Sequence, residues 1–302
     1  MRSPNSQTTR LFSVVLTFIV AACGTDPAGI TAPTLASPLR SEAIALASGV
    51  CDYDQADASL TSAGWSKVFD EPFATDLSQW SIWTAGAFNE ELQFYQAANM
   101  QVAGGILSIE ARRETVVGPT TPFDPTPKQF DYTSGRIESH THFSSSRATP
   151  NVRMSARIKL PNGYGMWPAF WSYGDPWPTQ GEIDIVEARG QDPFTYHTAY
   201  WYGRRAGVNL VQNSAATITS SVSLTSCWHV YEVIWGKDQL TYLFDGQVVD
   251  VKTGGYIPNM HRKLQRVTLN LAVGGLFFGP EFDPSQIQTG TLQVDWVKVF
   301  AR

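Results

Sequence analysis

The sequence predicts an all-β fold, an antiparallel sandwich or barrel, and three observations carry that expectation. Short segments alternate apolar and polar residues with period two, as over residues 152–160 and 292–300. Gly, Pro, Asn and Asp punctuate the chain at short intervals, as at Asp245-Gly246. No long stretch carries the apolar spacing of an amphipathic helix. With 302 residues, 43% of them hydrophobic and 12% aromatic, the chain suffices for one large β domain. A net charge of −5 without a Lys/Arg cluster excludes nucleic acid as the expected partner.

Residues 1–22 read as an export signal. Arg2 and Arg10 precede an apolar stretch too short to cross a bilayer as a mature helix. The ending Val20-Ala21-Ala22-Cys23-Gly24 resembles a bacterial lipoprotein signal, which would leave Cys23 lipidated and the protein anchored to a membrane of the cell envelope. An ordinary signal peptide cut nearby is the alternative. Residues 23–62 are rich in Ala, Ser, Thr and Pro and poor in aromatic residues, the composition of a flexible tether. The folded domain is then expected over 63–302. Its strands are expected at 105–111, 152–160, 231–235, 241–244 and 292–300, and the Pro-rich segment 117–130 reads as a long surface loop. Cys51 and Cys227 form a disulfide after export or remain two buried thiols; spacing does not separate the two readings.

The chemistry is concentrated in Gly181-Glu182-Ile183-Asp184-Ile185-Val186-Glu187. On a regular strand Glu182 and Asp184 share one face, and Ile183 and Ile185 share the other. Glu187 lies an odd number of residues from Glu182. For all three acids to act together the strand needs an extra residue near Ile185-Val186, a β-bulge. Retaining hydrolysis of a glycosidic bond needs two carboxyl groups roughly 5–5.5 Å apart, one nucleophile and one acid/base. Upstream, Trp167, Trp171 and Trp177 offer flat faces on which the C–H faces of a sugar ring can stack, although any single indole is more often a core residue.

These residues fall within a wider pattern. From about Trp65 to its C-terminus the chain resembles glycoside hydrolase family 16, most closely its bacterial laminarinases. The resemblance rests on Asn89-Glu90-Glu91-Leu92-Gln93-Phe94-Tyr95, Thr133-Ser134-Gly135-Arg136-Ile137, Ala156-Arg157-Ile158-Lys159-Leu160-Pro161 and Met166 to Trp171. It rests further on Gly181 to Glu187, Asn270-Leu271-Ala272-Val273-Gly274-Gly275, and Val294-Asp295-Trp296-Val297-Lys298-Val299-Phe300. It implies a β-jelly-roll of two curved antiparallel sheets with the substrate in a concave cleft. It also implies a retaining endo-glycosidase, active without a catalytic cofactor, that cuts β-1,3 or mixed β-1,3-1,4 glucans such as laminarin.

In that family pattern Glu182 is the nucleophile, Asp184 its support and Glu187 the acid/base. Asn89, Arg136, Trp167 and Trp171 are sugar contacts, and His197 is expected in the cleft. A structural Ca²⁺ would take oxygens from Glu71, the Gly105 carbonyl and Asp295; the other reading of Asp295 is an ordinary strand residue. A monomer is expected. Ala188-Arg189-Gly190, residues 200–205 and the apolar Leu276-Phe277-Phe278-Gly279 depart from the usual laminarinase pattern, which leaves the glycan open. The rival readings are the same machinery on agarose or a sulfated galactan, and a non-catalytic carbohydrate-binding surface lipoprotein.

Overall fold

A computed structural model describes residues 43–302, so the signal segment and Cys23 lie outside the described residues. In chain order its first half comprises β1 (Ala43–Ala47), α1 (Asp57–Ser62), β2 (Ser66–Glu71), β3 (Trp80–Ile82), β4 (Gln93–Tyr95), β5 (Met100–Ala103), β6 (Ile106–Glu110), β7 (Arg112–Thr121), β8 (Asp124–Ser134) and β9 (Arg136–Phe143). There follow β10 (Val152–Lys159), β11 (Met166–Tyr173), β12 (Glu182–Glu187), β13 (Thr195–Trp201), β14 (Ala216–Ser220) and β15 (His229–Trp235). The chain closes with β16 (Gln239–Phe244), β17 (Gln247–Thr253), α2 (Ile257–Met260), β18 (Gln265–Val273) and β19 (Thr291–Ala301).

The molecule is all-β, as expected. One eight-stranded sheet runs β1-β14-β13-β12-β11-β18-β9-β3, and a second runs β17-β16-β15-β10-β19-β6-β5 with β2 added alongside β19. Pairing within the two large sheets is antiparallel except between β1 and β14. Period-two alternation explains the layering. Ile183 and Ile185 of β12, Phe170 of β11 and Leu269 of β18 point inward and meet Met154, Val233 and Val297 from the second sheet in one core. The opposite face of the first sheet is left to Glu182, Asp184, Trp167 and Trp171.

Two boundaries differ from the sequence reading. Segment 43–62 is no tether. β1 pairs parallel with β14, Val50 N donates to Asp245, Arg157 donates to the carbonyls of Asp52 and Tyr53, and Trp296 Nε1 donates to Asp54. Cys51 is joined to Cys227, 176 residues away. This segment is attached by backbone and side-chain hydrogen bonds, the packing of Leu60 on Trp65 and Phe300, and one covalent link, most of which an apolar-residue census does not register.

Residues 117–130, expected as a loop, instead form most of a β-hairpin. β7 and β8 pair antiparallel and, with β4, make a small third sheet in the order β4-β8-β7. Its prolines are tolerated because β7 is an edge strand and β8 pairs with β4 only at residues 132–134, beyond Pro125 and Pro127.

Candidate active site

The predicted bulge is present. Against β11, Trp171 faces Asp184 and Phe170 faces Val186, so Ile185 has no partner. Against β13, Asp184 faces Ala199 and Glu187 faces His197, three residues of β12 spanning two of β13. The extra residue turns Glu187 to the side of Glu182 and Asp184, and all three line one open cavity. Trp167, Trp171, Trp177, Asn89 and Arg136 line it too.

Each acid is held by a different indole. Trp177 Nε1 donates to Glu182 at 2.7 Å, Trp201 Nε1 to Asp184 at 2.9 Å and Trp167 Nε1 to Glu187 at 3.0 Å. An indole N–H can only donate, so it fixes a carboxyl without competing for its proton. Burial pushes all three acids upward. Glu182 rises to about 8, from burial first and then the neighbouring Glu187 charge. Asp184 is raised well above the usual range by burial and by both glutamates. Glu187 is pushed to about 7 by burial, with Glu91 adding to the rise and the Trp167 N–H and Arg189 opposing it. The cluster therefore keeps protons into the neutral range, the condition a carboxylic acid needs to act as a proton donor there.

Arg136 is buried against the same cavity. Its Nε and Nη2 donate to Glu138 Oε1, which also accepts from Tyr173 Oη. The guanidinium lies 3.9 Å from the centre of the Trp83 ring and 4.9 Å from that of Trp171. Trp171 is oriented by a chain: its Nε1 donates to Asn270, Asn270 Nδ2 to Tyr95 Oη, and Tyr95 Oη to Glu91. Burial raises Glu91 to about 7. Asn89 takes a left-handed φ of 57° that asparagine tolerates, and its buried Oδ1 has no protein partner.

His197 is not on the cavity wall. It stands beside Glu187 in register, accepts at Nε2 from Arg189 Nη1 at 3.0 Å, and its Nδ1 meets Thr217 Oγ1 at 3.1 Å. Burial, then Arg189, pushes it down to about 4, so the ring is neutral. Arg189 also donates to the Phe277 carbonyl at 2.6 Å and lies over the Phe277 ring, which stacks on Trp167 at 4.7 Å. Two of the three segments that depart from the laminarinase pattern, 188–190 and 276–279, thus meet in space beside Trp167.

The oxygens expected to hold calcium are committed elsewhere. The buried Glu71 carboxylate accepts from Phe73 N, Gln79 Nε2 and Trp80 Nε1. Asp295 is paired with Arg157 at 2.6 Å, so a guanidinium supplies its positive charge. Gly105 lies in the turn after β5. Among the described residues no cluster of three or more His, Cys, Asp or Glu is arranged to hold a metal. These donors do not fit the ion, and no step is derived through it.

Sequence reasoning singled out the acids and the tryptophans of β11 but missed Trp83, Tyr95, Tyr173, Glu91 and Asn270 as cavity residues, and Trp201 as the donor to Asp184. Glu91 and Asn270 sit inside the quoted motifs and were within reach. Trp83 and Trp201 carry no local signal, because what gives them meaning lies on other strands.

A model of glycosyl hydrolases family 16 matches residues 82–298, a span holding every residue named on the cavity wall. Glucan endo-1,3-beta-glucosidase A1 of Niallia circulans is 29% identical over 283 residues, covering 82% of this chain and 40% of its own length. Glucan endo-1,3-beta-glucosidase of Cryptopygus antarcticus is 30% identical over 256 residues, covering 78% of this chain and 90% of its own. Among solved structures, the endo-beta-1,3-glucanase from Pyrococcus furiosus superposes with a TM-score of 0.65 at 28% identity, over 83% of this chain and 98% of that one.

Proposed function

The chain belongs to glycosyl hydrolase family 16, and from that membership and its acid cluster we propose that it is a retaining endo-β-glucanase acting on β-1,3 or β-1,3-1,4 linkages. The observation that carries this reading is the bulge in β12, which turns three buried carboxyls, each held by an indole N–H, into one aromatic-walled cavity. Glu182 and Glu187 titrate as a coupled pair, and the reactive distribution is the one with the shared proton on Glu187. Glu182, as a carboxylate, attacks the anomeric carbon and forms a glycosyl ester, while Glu187 gives its proton to the departing glycosidic oxygen. Glu187, now ionised, takes a proton from water as that water attacks the same carbon. The ester bond breaks and Glu182 returns to a carboxylate. Asp184, whose ionisation burial and both glutamates oppose, stands between them on the strand and supports the Glu182 anion.

A neutral glucan suits this cavity. Its walls present Trp83, Trp167, Trp171 and Trp177, and Arg136, the one cation lining it among the described residues, is paired with Glu138. Five acids, Glu91, Asp175, Glu182, Asp184 and Glu187, line the space, and any of them that is ionised disfavours a sulfated chain. The relatives named above carry β-1,3-glucan activities, which supports the same class.

The test is an anomer-resolved NMR time course on laminarin, with lichenan and agarose alongside. The first-formed reducing end is expected to be β. Glu182→Gln and Glu187→Gln are each expected to lower turnover by at least about 10³-fold with the fold retained, on the scale of losing an essential catalytic group. An α product formed first, or near-normal turnover by either variant, removes the assignment.

A further inference from the structure

The aromatic wall of the cavity continues past the acids. Along β11, Ala169 faces Glu187, Trp171 faces Asp184 and Tyr173 faces Glu182, so the Tyr173 end is the nucleophile end. Arg136 lies over Trp171 and Tyr173 there and carries the wall outward to Trp83. Trp83 meets Phe88 edge to face at 6.4 Å, and Phe88 stacks on Phe123 at 6.3 Å with the rings 24° apart. Trp83, Phe88 and Phe123 all line the cavity, and Phe123 is 55% exposed.

A single exposed phenylalanine is ordinary. This one is mounted. It sits at the tip of the β7–β8 hairpin, where Thr121 Oγ1 accepts from the amides of Phe123 and Asp124 and Asp124 accepts from the Thr126 amide. The hairpin is held close to this tip, where Gly86 N donates to Pro119 O at 3.0 Å and a Cβ at Gly86 would come 2.2 Å from Thr120 O. A fixed apolar face on the rim of a cavity that combines aromatic walls with polar groups matches a pyranose ring, which offers C–H groups to the aromatic ring and hydroxyls to its surroundings. Asn89, next in the chain to Phe88, supplies a buried acceptor with no protein donor.

We propose that the tip of the β7–β8 hairpin is a further sugar subsite, in which Phe123 backed by Phe88 forms a platform for a neutral glucosyl unit several residues from the bond cut, on the nucleophile side. This rests on the glucanase reading above and adds to it a hairpin-borne determinant of chain length.

The experiment compares kcat/KM for the full-length protein, Phe123→Ala and Phe123→Tyr across β-1,3-gluco-oligosaccharides of increasing length. Wild type is expected to gain as the chain grows long enough to reach the tip. Phe123→Ala should lose about tenfold of that gain, equivalent to about 1.4 kcal/mol, while matching wild type on the shortest oligosaccharides cut. Phe123→Tyr, which keeps the flat face, should retain the gain. A Phe123→Ala profile parallel to wild type at every length overturns the subsite and leaves the glucanase reading standing. Failure of the wild type to cut any member of the series removes that reading, and the subsite with it.

Discussion

At the scale of single residues, the site is governed by which groups donate to which carboxyl. Trp167 does two things at once: its indole N–H stabilises the Glu187 anion, and its ring stacks flat on Phe277. Trp167→Phe keeps the stack and removes the donor. Loss of a hydrogen bond to the charged form raises the pKa of Glu187 above its present value of about 7. Because Glu187 must be protonated to act as the acid, the alkaline limb of kcat/KM should move to higher pH, with a lower maximum. A pH profile on laminarin measures this, and a limb that stays in place would show that Glu187 is not the group titrating there. The sequence made Glu182, Asp184 and Glu187 legible because their spacing is local. It placed His197 in the cleft, whereas the ring serves as a neutral acceptor for Arg189. That role depends on Phe277, 88 residues from Arg189, and no local pattern announces it.

At the scale of elements, two devices shape the cleft: the β12 bulge and the β7–β8 hairpin. The bulge was readable because an odd spacing of acids on an alternating strand has few other resolutions. The hairpin was not, because Pro119, Pro122, Pro125 and Pro127 suppress a strand reading unless the strands are known to lie at an edge. Gly86 decides how the hairpin docks. A methyl group there meets Thr120 O at 2.2 Å and Phe130 Cζ at 2.4 Å, so either the hairpin or the segment carrying Gly86 must move. Gly86→Ala is expected to cost about 1–3 kcal/mol, the usual range for overpacking, and to blunt the gain with oligosaccharide length as the tip shifts. Denaturant titration and the oligosaccharide series check the two effects separately. An unchanged denaturation midpoint would mean that the hairpin yields freely where it meets Gly86.

At the scale of the whole molecule, stability depends on protons stored in the cleft. Glu91, Glu182 and Glu187 have folded-state pKa values of about 7 to 8, raised by burial, against 4.5 for the ordinary group. Their preference for the neutral form supports the fold fully below that ordinary value, and the support is lost as pH climbs through the raised values. The melting temperature should therefore fall between pH 5 and pH 8. Glu182→Gln, which needs no proton, should melt higher than wild type at pH 8 and close to it at pH 4. Calorimetry at the three pH values checks the sign; a Gln variant no more stable than wild type at pH 8 contradicts it.

The sequence alone determined the fold class, the acid triad with its bulge, and the aromatic and asparagine motifs around it. Each of these is a property of neighbouring residues: alternation sets the face of a strand, and spacing within one strand sets what shares that face. The tertiary structure decided what depends on meetings between distant strands. Trp201 reaches Asp184 from β13, Asn270 orients Trp171 from β18, and Arg157 occupies Asp295 where calcium was expected. It also drew residues 43–62 into the domain through β14 and the Cys51–Cys227 link, and folded a proline-rich loop into a hairpin. Hydrogen bonds and covalent links between distant segments leave no periodicity in the chain, so only the assembled sheets reveal them.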